Sequence, residues 1–291
     1  MSLLKSRNSA KKLKVYTFRR PKLSVLSWIV ALLWLLVALI PYFFMICFGF
    51  KSQNEIFSTP AWKPPTSWNP QNFLLVLQGS YFRALLNSMI VVVASMAIVV
   101  LVASSASFAF ARLRFRGNAI IFSAVVAGLI VPQHTTLIPI YILTNKLHVY
   151  DSLAALIGPY VAFAIPITIF ILTQFMREIP KDFFEAAIVD GASHARVFFK
   201  VYLPLARTAL VTVVIFNSVA LWNEFLFAYV LTSSSNKRTL PLTVFDYQGQ
   251  YTSNTPAIMA ALTLAAVPLF LAYFIFQEKL VNGVMAGAIK S

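Results

Sequence analysis

The feature that most constrains this chain is a set of long stretches without Asp, Glu, Lys or Arg. They are 23–50, 84–111, 117–145, 152–176 and 247–277, and a sixth run, 208–236, holds only Glu224. A helix needs roughly 20 consecutive apolar residues to cross the hydrocarbon of a bilayer. In lipid only helices and closed barrels satisfy their own backbone. The runs therefore predict an all-α integral membrane protein with six transmembrane helices and both termini on one side. The count becomes five or seven if Pro132 and Pro139 turn the third run into a re-entrant segment. Charged residues are only 11% of the chain, against about a quarter in soluble domains, which excludes a soluble globule.

The formal charge of +15 invites a nucleic-acid reading, but the basic residues lie between the apolar runs and form no folded basic face. They report topology instead. Residues 1–22 carry eight Lys or Arg and no acid. The uncharged run that follows is too long for the core of a cleaved signal, so it reads as a retained first span. With the termini inside, 18 of the 24 Lys and Arg fall on the cytoplasmic side, as the positive-inside bias requires. The expected order is a basic cytoplasmic segment (1–22), a first span (23–50) and an extracytoplasmic loop (51–82). A core of five spans (83–277) follows, containing a cytoplasmic loop (178–207), and then a cytoplasmic tail (278–291). Cys47 is the only cysteine and lies in an apolar run, so it reads as a buried small hydrophobe with no disulfide or metal framework.

Polar residues inside the runs mark candidate sites, and each has two readings. Asn87-Ser88 opens the second span, whose later part is rich in small residues (Ala103, Ser104, Ser105, Ala106, Ser107, Ala109), as in a closely packed interior helix. His134 lies between Pro132 and Pro139, where a broken helix exposes backbone that protein or a watery cavity must cover. It either lines a path or bonds a neighbouring helix. The fifth run holds Asn217, Trp222, Asn223 and Glu224. An acid there meets a partner or water, so Glu224 faces a translocation cavity or pairs with another helix or subunit. Counted inward from Ser233, a continuous helix rising 1.5 Å per residue places it roughly 13 Å from the outer end. The translocation-path candidates are thus Asn87, His134, Trp222, Asn223 and Glu224. Trp62 and Trp68 of the Pro-rich 51–82 loop suit the lipid interface better than ligand stacking. The polar 233–256 segment is either a floppy connector or a contact surface through Tyr247, Gln248, Gln250 and Tyr251.

Residues 185–204 read EAAIVDGASHARVFFKVYLP. Asp182 and Glu185 are spaced as a capping pair that opens a helix. Phe184, Ala187, Ile188 and Gly191 share one helical face, and Glu178, Asp182 and Glu185 share another. Gly191 suits the helix end. Ser193 starts a second helix, which Pro204 stops. The product is a helix–glycine–helix elbow, read either as a solvated connector or as an amphipathic docking piece.

The EAA triplet, Asp190-Gly191-Ala192, Phe199 and Leu203-Pro204 resemble the signature cytoplasmic loop of ABC-importer permeases, most closely the smaller permease of the maltose type. That resemblance implies a MetI-like permease fold, with Glu185, Ala186, Ala187, Asp190, Gly191, Ala192, Phe199 and Pro204 docking on an ATPase subunit. It also implies a second, homologous permease as heterodimer partner, two ATPase subunits that hold ATP and Mg, and an extracytoplasmic binding protein. That protein would contact the 233–256 region. The setting would be a bacterial inner membrane and the cargo a carbohydrate, with a glycerol-phosphate ester as a near relative. The tail resembles the family's closing segment through Gly283, Gly287 and Lys290.

Several chemistries lack their motifs. There is no G-x-x-x-x-G-K-[ST] phosphate loop, no H-E-x-x-H and no G-x-S-x-G. The expectation is a non-enzymatic chain with no metal and no cofactor of its own. The competing class is an ion-coupled secondary transporter with Glu224 as its proton site, against which the scarcity of intramembrane charge weighs.

Overall fold

A computed structural model describes residues 24–249 and 252–288, with side chains to Glu278. The basic segment 1–22, Gln250, Tyr251 and the side chains of the tail beyond Glu278 lie outside the described residues. The chain divides into two units, one ending at Phe43 and one starting at Phe44. The first contains the greater part of helix α1 (Val25–Phe50), uncharged throughout, with Pro41 inside it.

The second unit is helical, and among the described residues its only β contact is an isolated bridge between Gln248 and Ser253. Beyond the end of α1 come two short helices, α2 (Gln53–Ser58) and α3 (Gln71–Gln78), and then the long α4 (Tyr81–Arg112). The third run is α5 (Asn118–Ala127) and α6 (Leu137–Lys146), joined by two 3-10 turns and bent by 90°. The chain continues as α7 (Leu153–Glu178), α8 (Asp182–Val189) and α9 (His194–Val197), then a π turn over Phe198–Tyr202 and α10 (Leu203–Leu205). Last come α11 (Arg207–Trp222), α12 (Leu226–Leu231) and α13 (Thr255–Ala288). Among the described residues four helices are long and apolar enough to cross a membrane, or up to six crossings if each of two bent pairs is one span.

The sequence expectations need correction at three helix ends. Pro132 coincides with the break in the third run, but Pro139 sits in the first turn of α6, where its missing N–H has no helical partner to lose. The fifth run is not one helix: α11 stops at Trp222 and the chain breaks before α12. A rise counted through 208–236 therefore does not locate Glu224. The sixth run starts late. Residues Leu240–Tyr247 form a 3-10 stretch, and α13 begins at Thr255, with the Asn254 side chain accepting from the Ala257 amide at 3.2 Å. Pro204 lies at the end of the helical run His194–Leu205, one residue before its last, and the chain turns at Ala206, by 74° into α11.

The pairing of α4 with α7 is the most extensive in the molecule. Ala103, Ser104 and Ser107 are buried there, Ser105 faces outward, and the Ser107 hydroxyl donates to the Ile169 carbonyl at 3.3 Å. In lipid the apolar transfer gain is absent, so close backbone approach and such interhelical bonds, each about 0.6 kcal/mol, hold the helices together. The main core joins this pair to Val76 of α3, Trp222 of α11, Leu240, and Ala260 and Ala261 of α13. Asn217 ties α11 to α7 by donating to Thr168 Oγ1 at 3.1 Å. Cys47 is 2% exposed, as its apolar setting predicts.

Candidate functional site

The elbow is built by local backbone chemistry. Helix α8 ends in a full Schellman arrangement, in which the Ala192 amide donates to Ala187 O and the Gly191 amide to Ile188 O, both at 2.9 Å. Gly191 carries φ +77°, the left-handed region that glycine enters without a steric penalty. Ser193 then caps α9, its Oγ accepting from the Arg196 amide at 3.4 Å. At the start of α8 the expected capping pair does not form. Lys181 is the cap residue and supplies only its carbonyl, to the amides of Phe184 and Glu185. Asp182 and Glu185 lie inside the first turn, where their charge faces the positive end of the helix dipole.

Two faces result. Phe184, Ala187 and Ala192 pack inward on a cluster of Phe108 from α4, Met176 and Ile179 from the end of α7, and Val197, Phe198, Tyr202 and Ala206. Phe108 contacts Phe198 and Tyr202 with ring centroids 5.4 and 5.1 Å apart. Glu185, Ala186, Asp190, Gly191, Phe199 and Pro204 are exposed. With them stand exposed apolar side chains, Val189 at 87% exposure, Phe183 at 49% and Phe199 at 55%, the last with its ring edge on Phe198. Ile188, grouped by helical period with Phe184 and Ala187, is exposed as well, because the short α8 rests on the cluster along only part of its apolar face.

The break between α11 and α12 centres on Glu224. Its Oε1 accepts from the Phe227 amide at 2.9 Å and its Oε2 from the Ala228 amide at 3.1 Å, so the side chain closes the open N-terminus of α12. Oε2 also accepts from the Tyr160 hydroxyl of α7 at 2.6 Å. Trp222 is buried in the main core, whereas Asn223 is exposed and donates to Val219 O at 2.8 Å. His134 is exposed in the 3-10 turn Gln133–Thr136. Asn87 is 7% exposed, and its amide donates to the carbonyls of Asn236 and Arg238 at 3.0 and 2.9 Å.

Asn87 is one of several ties that make the described part of 233–256 an ordered ledge and not a floppy connector. Ser88 Oγ accepts from the Leu240 amide at 2.8 Å. Asp246 takes an ion pair from Arg238 and a hydrogen bond from the Ser80 hydroxyl. Asp151, strained at φ +56°, accepts from the amides of Ser233 and Ser234 at 2.8 and 2.9 Å and from the Ser234 hydroxyl. Burial works to raise its carboxyl, but the Ser233 and Ser234 bonds and the nearby Lys237 outweigh it and hold the group below the usual carboxylate range. Tyr247 packs into the main core and Gln248 is exposed. Gln53 of α2 holds the far end of the ledge, donating to Ser253 O at 2.9 Å and accepting from the Thr255 amide at 3.1 Å.

Two residues that sequence reasoning passed over are central. Tyr160 carried one available signal, a phenol inside an uncharged run that needs a polar partner when buried. Arg112 appeared only as a charge at the end of a span. In the structure its Nη2 donates to Met176 O at 2.6 Å, to Arg177 O at 3.3 Å and to Ile179 O. Among the described residues no group of His, Cys, Asp and Glu is placed to hold a metal ion.

Residues 76–285 match the family model described as binding-protein-dependent transport system inner membrane component. The chain is 49% identical over 257 residues to ORF2 of Caldicellulosiruptor sp. (strain Rt8B.4), a chain assigned as an ABC transporter permease, covering 88% of this chain and 94% of that one. It is 33% identical over 275 residues to the diacetylchitobiose uptake system permease protein NgcG of Streptomyces coelicolor, covering 92% and 90%. Its fold is similar to a chain from the crystal structure of a bacterial ABC transporter involved in import of the acidic polysaccharide alginate. The TM-score is 0.74 at 20% identity, over 87% of this chain and 95% of that chain.

Proposed function

The chain belongs to the inner membrane components of binding-protein-dependent transport systems, and from that membership we propose that it carries a neutral carbohydrate and is driven through its elbow. It is a permease of an ABC importer. The observation that carries the coupling reading is the two-sidedness of residues 182–205. One face is packed on the ends of α4 and α7, and the other presents Val189, Phe183 and Phe199 to solvent. An apolar rim backed by the main helices is what an ATPase groove would grip and move. Glu185, Ala186, Asp190 and Gly191 lie on that rim, and Ala187 and Ala192 hold it to the bundle.

The remaining assembly is a second related permease, two ATPase subunits that hold ATP and Mg, and an extracytoplasmic solute-binding protein resting on the 233–256 ledge. Both termini and the elbow face the cytoplasm, in keeping with the Lys and Arg bias. This chain contributes no catalysis of its own. Alternating access is rigid-body rocking of the two permeases.

A neutral sugar suits the spans, which hold one acid, Glu224, already bonded by two amides and Tyr160. A glycerol-phosphate ester would call for a countercharge the apolar runs do not contain. Kinship to a diacetylchitobiose permease supports the same class. The ion-coupled alternative needs Glu224 to release and rebind a proton, but protonation would take acceptor capacity from the N-terminus of α12. Uptake of radiolabelled diacetylchitobiose into vesicles, with and without the ATPase subunits, tests the scheme. ATP-dependent uptake that withstands a protonophore is expected. Uptake by this chain alone, collapsed by the protonophore, overturns it.

A further inference from the structure

The elbow reaches the long helices through one cationic side chain at the last turn of α4. Arg112 projects from the end of α4 across the end of α7. There its guanidinium collects the carbonyls of Met176, Arg177 and Ile179, groups that the helix end leaves without backbone donors. A cation at a helix C-terminus also meets the negative end of its dipole. The same guanidinium lies over the Tyr202 ring, 5.1 Å from its centroid, within the range of a cation–π contact. Tyr202 is fully buried and belongs to the segment that follows α9, so it moves with the elbow. One planar group thus touches three pieces of chain: the end of α4, the end of α7 and the elbow.

We propose that Arg112 is a positioning residue that locks the elbow to α4 and α7, so that displacement of the elbow is passed to both helices. The proposal rests on the coupling reading above. The apolar contacts around Phe108 can slide, because dispersion is not directional. A charged nitrogen, Nη2, bonded to three carbonyls cannot slide without breaking bonds. Lysine would keep the charge and the donors but lose the flat face that covers the Tyr202 ring. Tyr202 Oη is buried and has no hydrogen-bond partner, so its contribution to the lock is the ring and not the hydroxyl. The lock therefore predicts that Tyr202→Phe is silent and that Tyr202→Leu, which keeps the site apolar but removes the ring under the guanidinium, fails.

The test uses the full complex with its partner permease and ATPase subunits in proteoliposomes. An environment-sensitive fluorophore is placed at Phe82→Cys, an exposed site at the far end of α4, in a Cys47→Ala background. The readouts are ATPase retention, ATP hydrolysis and the fluorescence change on adding ATP and Mg. With Arg112→Ala the ATPase should remain bound and hydrolysing while the fluorescence response falls about fivefold or more, the scale of a lost coupling term. Arg112→Lys should recover part of the response, Tyr202→Phe all of it and Tyr202→Leu little. An undiminished response in both Arg112→Ala and Tyr202→Leu overturns the lock. So does equal loss in Tyr202→Phe and Tyr202→Leu. If Arg112→Ala does not assemble, Arg112→Lys and the two Tyr202 variants decide. Glu185→Lys serves as the separate control: a complex that keeps its ATPase and its response in that variant removes the coupling reading itself, whatever Arg112 does.

Discussion

The Tyr160 hydroxyl donates to Glu224 Oε2 at 2.6 Å, joining α7 to the break between α11 and α12 across 64 residues of sequence. The acid that stood out as a candidate proton site is thereby a structural clasp, with two further bonds to the amides that open α12.

Removal of either partner should be unequal. Glu224→Ala leaves a buried phenol without an acceptor, at about 1–3 kcal/mol, and uncaps α12 for about 1 kcal/mol more. Tyr160→Phe removes only a hydrogen bond and leaves Glu224 on its two amides, costing roughly 0.5–1.5 kcal/mol. Thermal unfolding of the purified complex in detergent should therefore rank Glu224→Ala well below Tyr160→Phe. The reverse order would mean that the clasp is held from the tyrosine side.

Gly191 tests the elbow's geometry. An added Cβ meets nothing within 4 Å, so the penalty of Gly191→Ala is conformational alone, roughly 1–2 kcal/mol for the left-handed region. Gly191→Pro cannot adopt φ +77° and also removes the amide that bonds Ile188 O. Membrane insertion should survive both changes. ATPase co-purification and uptake should fall modestly for alanine and vanish for proline.

Val189→Asp separates docking from folding. The side chain is 87% exposed, so the change should alter stability by no more than about 0.5 kcal/mol. A charge placed in an apolar groove remains costly, and ATPase binding should weaken at least as much as in Glu185→Lys. Wild-type ATPase retention in a pull-down would place the groove elsewhere.

The ledge should depend on pH through Asp151. Its carboxyl lies below its ordinary value, so the tie to Ser233 and Ser234 is fully present above the unfolded pKa, about 3.9. It is lost as pH falls through the folded value. The amide-exchange protection factors of Ser233 and Ser234 should be flat across neutral pH. In Asp151→Ala the protection should be lost at every pH, with the Glu224 clasp unaffected.

Much of the elbow was legible because its determinants are local. Gly191 and Ser193 specify a left-handed corner and a cap within a few residues, and both form as their chemistry requires. The helix ends were less legible. Pro139 looked like a breaker, yet it sits in the first turn of α6, where a proline costs no helical hydrogen bond. Pro204 marks the break at Ala206 to within two residues, whereas the break at Asn223 to Phe225 carries no comparable local mark. The 233–256 segment looked loose because its polar residues find partners on α2, on α4 and at Asp151 ahead of α7, far away in the chain.

What the sequence determined by itself was the solvent: long uncharged runs must bury their backbone in helices once water is gone, whatever their neighbours. It also determined the elbow, since a backbone corner is settled by the residues that make it. Tertiary structure alone decided which polar group meets which. Glu224 found a phenol and two amides, and Arg112 found the carbonyls at the end of another helix. In lipid a polar side chain must find a partner somewhere, and only the packing of distant helices determines where that partner lies.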